Sequence, residues 1–136
     1  MKRLCLTLLM VVVLVAAGGA AAQQIPPEAE THYLAAREAL LANDGDKALG
    51  EINKSIELAP QNFLPYVLRG QIYLGRQEND KAEADFTRAI SLKADYPGAY
   101  TLRARALQAQ DRLDQAVNDL NRALSLDAND KEALAT

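Results

Sequence analysis

The chain has no tryptophan, one histidine and one cysteine, and aromatic residues make up only 5% of its 136 positions. Its apolar 49% is instead rich in alanine, which suits closely packed helices better than a sheet core. The cysteine is Cys5, inside an N-terminal segment that reads as removable, so the remaining chain has no thiol for catalysis or cross-linking. One histidine, His32, rules out a multi-histidine metal site, and no metal or other cofactor is expected. Positive charge is also scarce. After position 22 there are 13 basic and 18 acidic residues, a net charge of −5 that repels a phosphate backbone. Nucleic acid is therefore not an expected partner.

The N-terminal segment has its own logic. Lys2 and Arg3 form a basic start, Leu4 to Val15 an apolar stretch, and Ala16 to Ala22 a run of small residues. Ala20-Ala21-Ala22 before Gln23 satisfies the small-residue rule for signal cleavage, so 1–22 reads as a signal peptide. The competing reading is an uncleaved anchor, because 4–22 is 19 residues without a charge. Its last third is alanine and glycine, which is weakly apolar for a span. Gly18-Gly19 falls inside this segment and is no phosphate loop. Residues 23–28, with Pro26-Pro27, read as a short stiff spacer.

The body repeats itself. Ala48, Ala82 and Ala116 are 34 residues apart, and Asp46, Asp80 and Asp114 precede them by two places each time. Leu58, Leu92 and Leu126 keep the interval, as do Ile56, Ile90 and Leu124, and Lys54, Arg88 and Arg122. The segments are 29–62, 63–96 and 97–130, with a tail at 131–136. Each holds two helical patterns: in the second, Tyr66, Gly70, Tyr73 and Leu74 share one face, and Ala82, Phe86, Ala89 and Ile90 another. The spacing predicts six antiparallel helices of about 12 residues joined by short loops. Asp80 is expected as a cap or first-turn acid of its helix. Pro60 and Pro97 fall at the connections between segments.

These columns resemble the tetratricopeptide repeat family over 29–130. Its pattern of an aromatic, Leu-Gly and Tyr, then Ala, Phe and Pro, is best matched by Tyr66, Arg69-Gly70, Tyr73, Ala82 and Phe86. The third segment offers Tyr100, Arg103-Ala104, Leu107, Ala116 and Leu120. The first is the most degenerate, with His32, Ala35-Ala36 and Ala39 before Ala48, Ile52 and Pro60. The resemblance implies an all-α, right-handed superhelical solenoid of three helix-turn-helix hairpins. Ala36, Gly70 and Ala104 would then be the small residues that let paired helices approach. The turn glycine common in the family is replaced by Asn43, Gln77 and Asp111. Gln tolerates a left-handed backbone least, so the middle hairpin is expected to use a different turn.

The function implied is that of a non-enzymatic protein-binding module, with a protein or peptide in a concave groove. The expected groove residues are Tyr33, Arg37, Val67, Gln71, Thr101 and Arg105. Some family members hold a C-terminal carboxylate with groove Lys and Asn residues, a set not reproduced here, where Gly98 and Leu102 stand instead. Asp44, Asp46 and Glu51 lack calcium-loop spacing and read as a polar turn, and Asn53-Lys54-Ser55 falls on a packed helix, against glycosylation. Only six residues follow the third segment, so Val117, Leu120 and Leu124 are expected to lie uncovered and to form an interface, most simply a homodimer. The alternative is that Leu134 folds back over them.

The expected destination is the bacterial periplasm or secretion, with an inner-membrane-anchored assembly subunit as the alternative. The intact mass of the protein from its native source separates the two: loss of about 22 residues is expected, and full-length mass would establish the anchor.

Overall fold

The computed structural model describes residues 24–134, and side chains to 129. The export segment 1–22 lies outside the described residues. Six helices follow one another: α1 (Pro27–Leu41), α2 (Gly45–Leu58), α3 (Phe63–Gly75), α4 (Asn79–Leu92), α5 (Pro97–Ala109) and α6 (Leu113–Leu134). The described residues contain no strand. Contacts run in a line: α1 packs on α2, α3 on α4 and α5 on α6, while α2–α3 and α4–α5 join successive hairpins. This is an all-α hairpin solenoid.

Each hairpin closes where a small residue on its first helix meets a large one sixteen places later. The pairs are Ala36 with Ile52, Gly70 with Phe86, and Ala104 with Leu120. Ala36, Ile52, Phe86 and Ala104 are all fully buried. A Cβ added to Gly70 would lie 2.5 Å from the Phe86 ring, so the largest partner faces the one residue without a side chain. The alanine column works the same way on the second helices, with Ala48, Ala82 and Ala116 all buried.

The three hairpin turns are alike. Asn43, Gln77 and Asp111 have φ of 59°, 62° and 59°. In each, that residue donates to a carbonyl three back and its successor to one five back, as in Gln77 N–H to Leu74 and Glu78 N–H to Tyr73. The middle hairpin therefore does not use a different turn. Satisfying the last helical carbonyls outweighs the cost of about 1–2 kcal/mol that Gln77 bears in a left-handed conformation. Asp80 lies in the first turn of α4, and Glu78 takes the cap position.

The chain leaves α2 and α4 at Ala59 and Lys93, whose φ values of −141° and −146° are non-helical, and Pro97 opens the next first helix. In the third segment Lys131 stands at the place of Pro97, and Ala128 at that of Pro60, which follows the end of α2. With no proline to stop it, α6 runs on through 134 as one helix of 22 residues. Residues 131–134 are thus the continuation of α6. Val117 and Leu124 are 53% and 66% exposed, as expected, but Leu120 is not free: it packs against Ala104, Leu107 and Ala116.

The size-matched pairs predict energetic coupling. In a double-mutant cycle of Gly70→Ala and Phe86→Leu, the single changes should each destabilise, by crowding and by cavity respectively. Together they should recover about 1 kcal/mol or more, reproducing the Ala104–Leu120 combination. Chemical denaturation measures this, and zero coupling would mean the two residues do not touch.

Candidate functional site

On the first helices, neighbouring residues divide between two faces. Ala36, Gly70 and Ala104 turn toward their paired helices, while Arg37, Gln71 and Arg105 are exposed. Thr101 is exposed too, and Tyr33 is half-buried against the first core cluster. Val67 departs from the expected groove wall. It is only 6% exposed and packs with Tyr66, Ala89 and Ala99. The reason is its place in the middle repeat: α3 meets α5, so this position serves contact between successive first helices. Thr101, at the same place, has no following first helix among the described residues.

Arg105 lines a cleft of about 450 Å³ with Leu74, Gln77, Asn79 and Ala109. Here a guanidinium and two carboxamides stand beside aliphatic walls. A larger depression of about 880 Å³ lies at the other end of the helices, bordered by Ile25, Pro26, Leu58, Pro60 and Phe63. Nothing in the repeat pattern pointed to it, because Ile25 and Pro26 belong to the spacer.

The arginines fall into two groups. Arg69 Nε and Nη2 donate to Asp85 at 2.8 and 2.7 Å, and Arg103 makes the same fork to Asp119 at 2.7 Å. Their remaining nitrogens reach the preceding repeat: Arg69 donates to Asn53 at 3.0 Å and Arg103 to Thr87 at 3.2 Å. Asp85 and Asp119 are buried, and the bonds to them hold both guanidiniums above their ordinary pKa. Arg37 and Arg105, by contrast, make no ion pair or side-chain hydrogen bond among the described residues, as is also true of the exposed Arg88 and Arg122 on second helices. On α5, then, Arg103 is consumed by structure and Arg105 is available.

The first repeat lacks the fork, since Ala35 stands in the arginine's place. Glu51, at the aspartate's place, instead meets His32 Nδ1 at 2.6 Å. That bond holds the Glu51 carboxyl below its usual range. Asp44 caps α2 by accepting from Lys47 N–H at 3.0 Å, and Asp46 pairs with Arg76. The three acids therefore have separate structural tasks, and no group of metal-ligating residues occurs among the described residues.

With this geometry in place, comparison with known families is decisive. The tetratricopeptide repeat family model matches residues 65–96 and again 97–130. The chain is a tetratricopeptide-repeat protein. Similar solved structures include the second TPR of Spaghetti (RPAP3) bound to HSP90 peptide SRMEEVD. It has 25% identity and a TM-score of 0.71, over 74% of this chain and 93% of that one. The TPR2B-domain:pHsp70 complex of yeast Sti1 has 25% identity and a TM-score of 0.73, over 75% and 82%. MamA, at 23% identity and a TM-score of 0.75 over 77% and 61%, shares the fold. A comparison with curated proteins finds no match.

The TPR fork predicts a specific rescue. Arg103→Leu should cost about 1–3 kcal/mol by leaving Asp119 buried without its partner. Adding Asp119→Leu should return most of that loss, because the charge is then gone as well. Thermal or denaturant melts of the three variants check the order.

Proposed function

We propose that this TPR chain is a protein-interaction module whose first-helix face takes a carboxylate-bearing peptide segment. One observation carries the reading. Arg37 and Arg105 stand at matched repeat positions on that face, without carboxylate partners among the described residues, on a body of net charge −5. An acidic domain that leaves such cations free, while forking Arg69 and Arg103 to buried aspartates, offers an incoming anion a localised target. Arg105 lies beside Leu74 and Ala109, so the cleft suits a carboxylate next to an aliphatic residue. The RPAP3 TPR bound to an HSP90 peptide lends support, since SRMEEVD is itself acidic. The partner here is defined by its chemistry alone.

The destination belongs to the same proposal. Export into the periplasm or beyond follows from the pattern of 1–22, and the alternative is a scaffold subunit that keeps 4–22 as its membrane anchor. Among the described residues, no helix is long and apolar enough to cross a membrane.

Photo-crosslinking from the native envelope tests the groove. A crosslinker at Gln71 should capture a partner that one at Asn118, on the far side of the repeats, does not. Arg37→Glu with Arg105→Glu should weaken binding about tenfold or more, and raising the salt should weaken the parent complex. If charge reversal leaves affinity unchanged, the concave-face reading fails.

A further inference from the structure

One column of the repeat has no task in the packing. Lys54, Arg88 and Arg122 recur at the 34-residue interval, are basic in every repeat, and are all exposed. Two ordinary explanations fail. A cation near a helix C-terminus offsets the helix dipole, but no basic residue lies in the last turn of α2 or α4, and α6 runs on well past Arg122. The other explanation is surface ion pairing, and only Lys54 has it, in a long contact of 3.5 Å to Glu51. Arg88 and Arg122 have no carboxylate partner among the described residues.

The column belongs to a longer row. Arg88 lies over the Tyr66 ring, 5.8 Å from its centroid, and Arg69 lies 5.7 Å from the same centroid. Tyr66 is tied down in turn, its hydroxyl donating to the Pro60 carbonyl at 3.0 Å, so both guanidiniums rest on a fixed platform. Arg69 reaches Asn53, next to Lys54, and Arg103 reaches Thr87, next to Arg88. Arg103 lies 5.9 Å from the Tyr100 ring, and Arg122 takes the repeat position of Arg88 in the third hairpin. Guanidiniums therefore pass from one hairpin to the next.

The acids near this row are already used. Asp85 and Asp119 lie beneath it, buried and forked to Arg69 and Arg103. Glu83 is held by Arg112 at 2.6 Å. Within 84–92 and 118–126, Arg88 and Arg122 are the only exposed charges, flanked by Thr87, Ser91, Asn121 and Ser125. On a body of net charge −5, four guanidiniums stand over two aspartates.

We propose that this row is a second docking surface, which takes a short acidic protein segment through its carboxylates. The surroundings select that occupant among anions. A bilayer calls for apolar side chains beside the cations, whereas hydroxyls and carboxamides stand there. A long polyanion would run off the row onto the acids of the remaining body. A short segment engages the row alone, within a screening length of about 8 Å at physiological salt, where the excess charge is positive. Arg69 and Arg103 already grip carboxylates edge-on, and the flanking hydroxyls and carboxamides suit a peptide backbone. The row shares no residue with the groove, so it stands without the groove reading.

The probe is a short synthetic peptide of alternating glutamate and serine, with no aliphatic side chain to suit the groove; its glutamine counterpart is the control. Fluorescence anisotropy with the purified protein should show binding of the glutamate peptide alone, weakened by salt. Arg88→Glu with Arg122→Glu should weaken it about tenfold or more, and Arg88→Gln with Arg122→Gln in the same direction. Arg37→Glu with Arg105→Glu should leave it unchanged. Both row arginines are exposed, so melting of these variants should stay close to the parent. A photo-crosslinker at Asn118, one turn before Arg122, should capture the peptide, and one at Gln71 should not. Absence of binding at low salt overturns the proposal, as does affinity indifferent to Arg88 and Arg122 or lost only with the groove pair. Binding of phosphatidylglycerol vesicles or polyphosphate through Arg88 and Arg122, without binding of the peptide, overturns it equally.

Discussion

The structure depends on how closely the two helices of a hairpin can approach. That distance is set by pairs of residues sixteen apart, one small and one large, and the chain meets the requirement differently each time. Gly70 admits the full ring of Phe86, whereas Ala36 and Ala104 face the smaller Ile52 and Leu120. A hairpin that opened here would shift the first helix against its neighbours, because Leu68 and Leu102 on those helices pack into adjoining clusters. The position of Arg37 or Arg105 on the outer face therefore follows from a contact on the inner one. Binding geometry in this protein is a by-product of packing.

The identical Schellman turns make the point from another side. A three-residue reversal with one left-handed residue is what antiparallel helices at this spacing demand, and the demand is local to the hairpin. Asn43 and Asp111 suit it, while Gln77 accepts it because the surrounding packing leaves no alternative. Strain of this size is easily carried by a repeat whose helices each bury several side chains.

Much of this fold was legible in the sequence because a 34-residue period leaves columns. The alanines at 48, 82 and 116, and Ile56 and Ile90, register directly as helix contacts. Other features lay beneath that level. Val67 looked like a groove residue because its repeat position sits near Arg37 and Arg105, but burial there depends on whether another repeat follows. The forks of Arg69 to Asp85 and Arg103 to Asp119 had a signal in two columns at the same interval, broken by Ala35 and Glu51 in the first repeat. Reading it required knowing that positions sixteen apart face each other. The continuation of α6 was hidden because the sign was a missing proline at Lys131, and absences are harder to weigh than matches.

The linear order of contacts also governs how the molecule comes apart. Among the described residues, helices α3 and α4 have neighbours on both sides, whereas α1 and α6 are each supported from one side alone. In such an array, opening begins at the ends and moves inward, and the backbone amides of the middle hairpin exchange with solvent last. Arg37 and Arg105, the unpaired arginines of the first helices, lie in the first and third hairpins, so each rides on an element that can loosen by itself. A segment lying across both would clamp the ends onto the centre, and its residence time would then depend on how often a terminal hairpin frays.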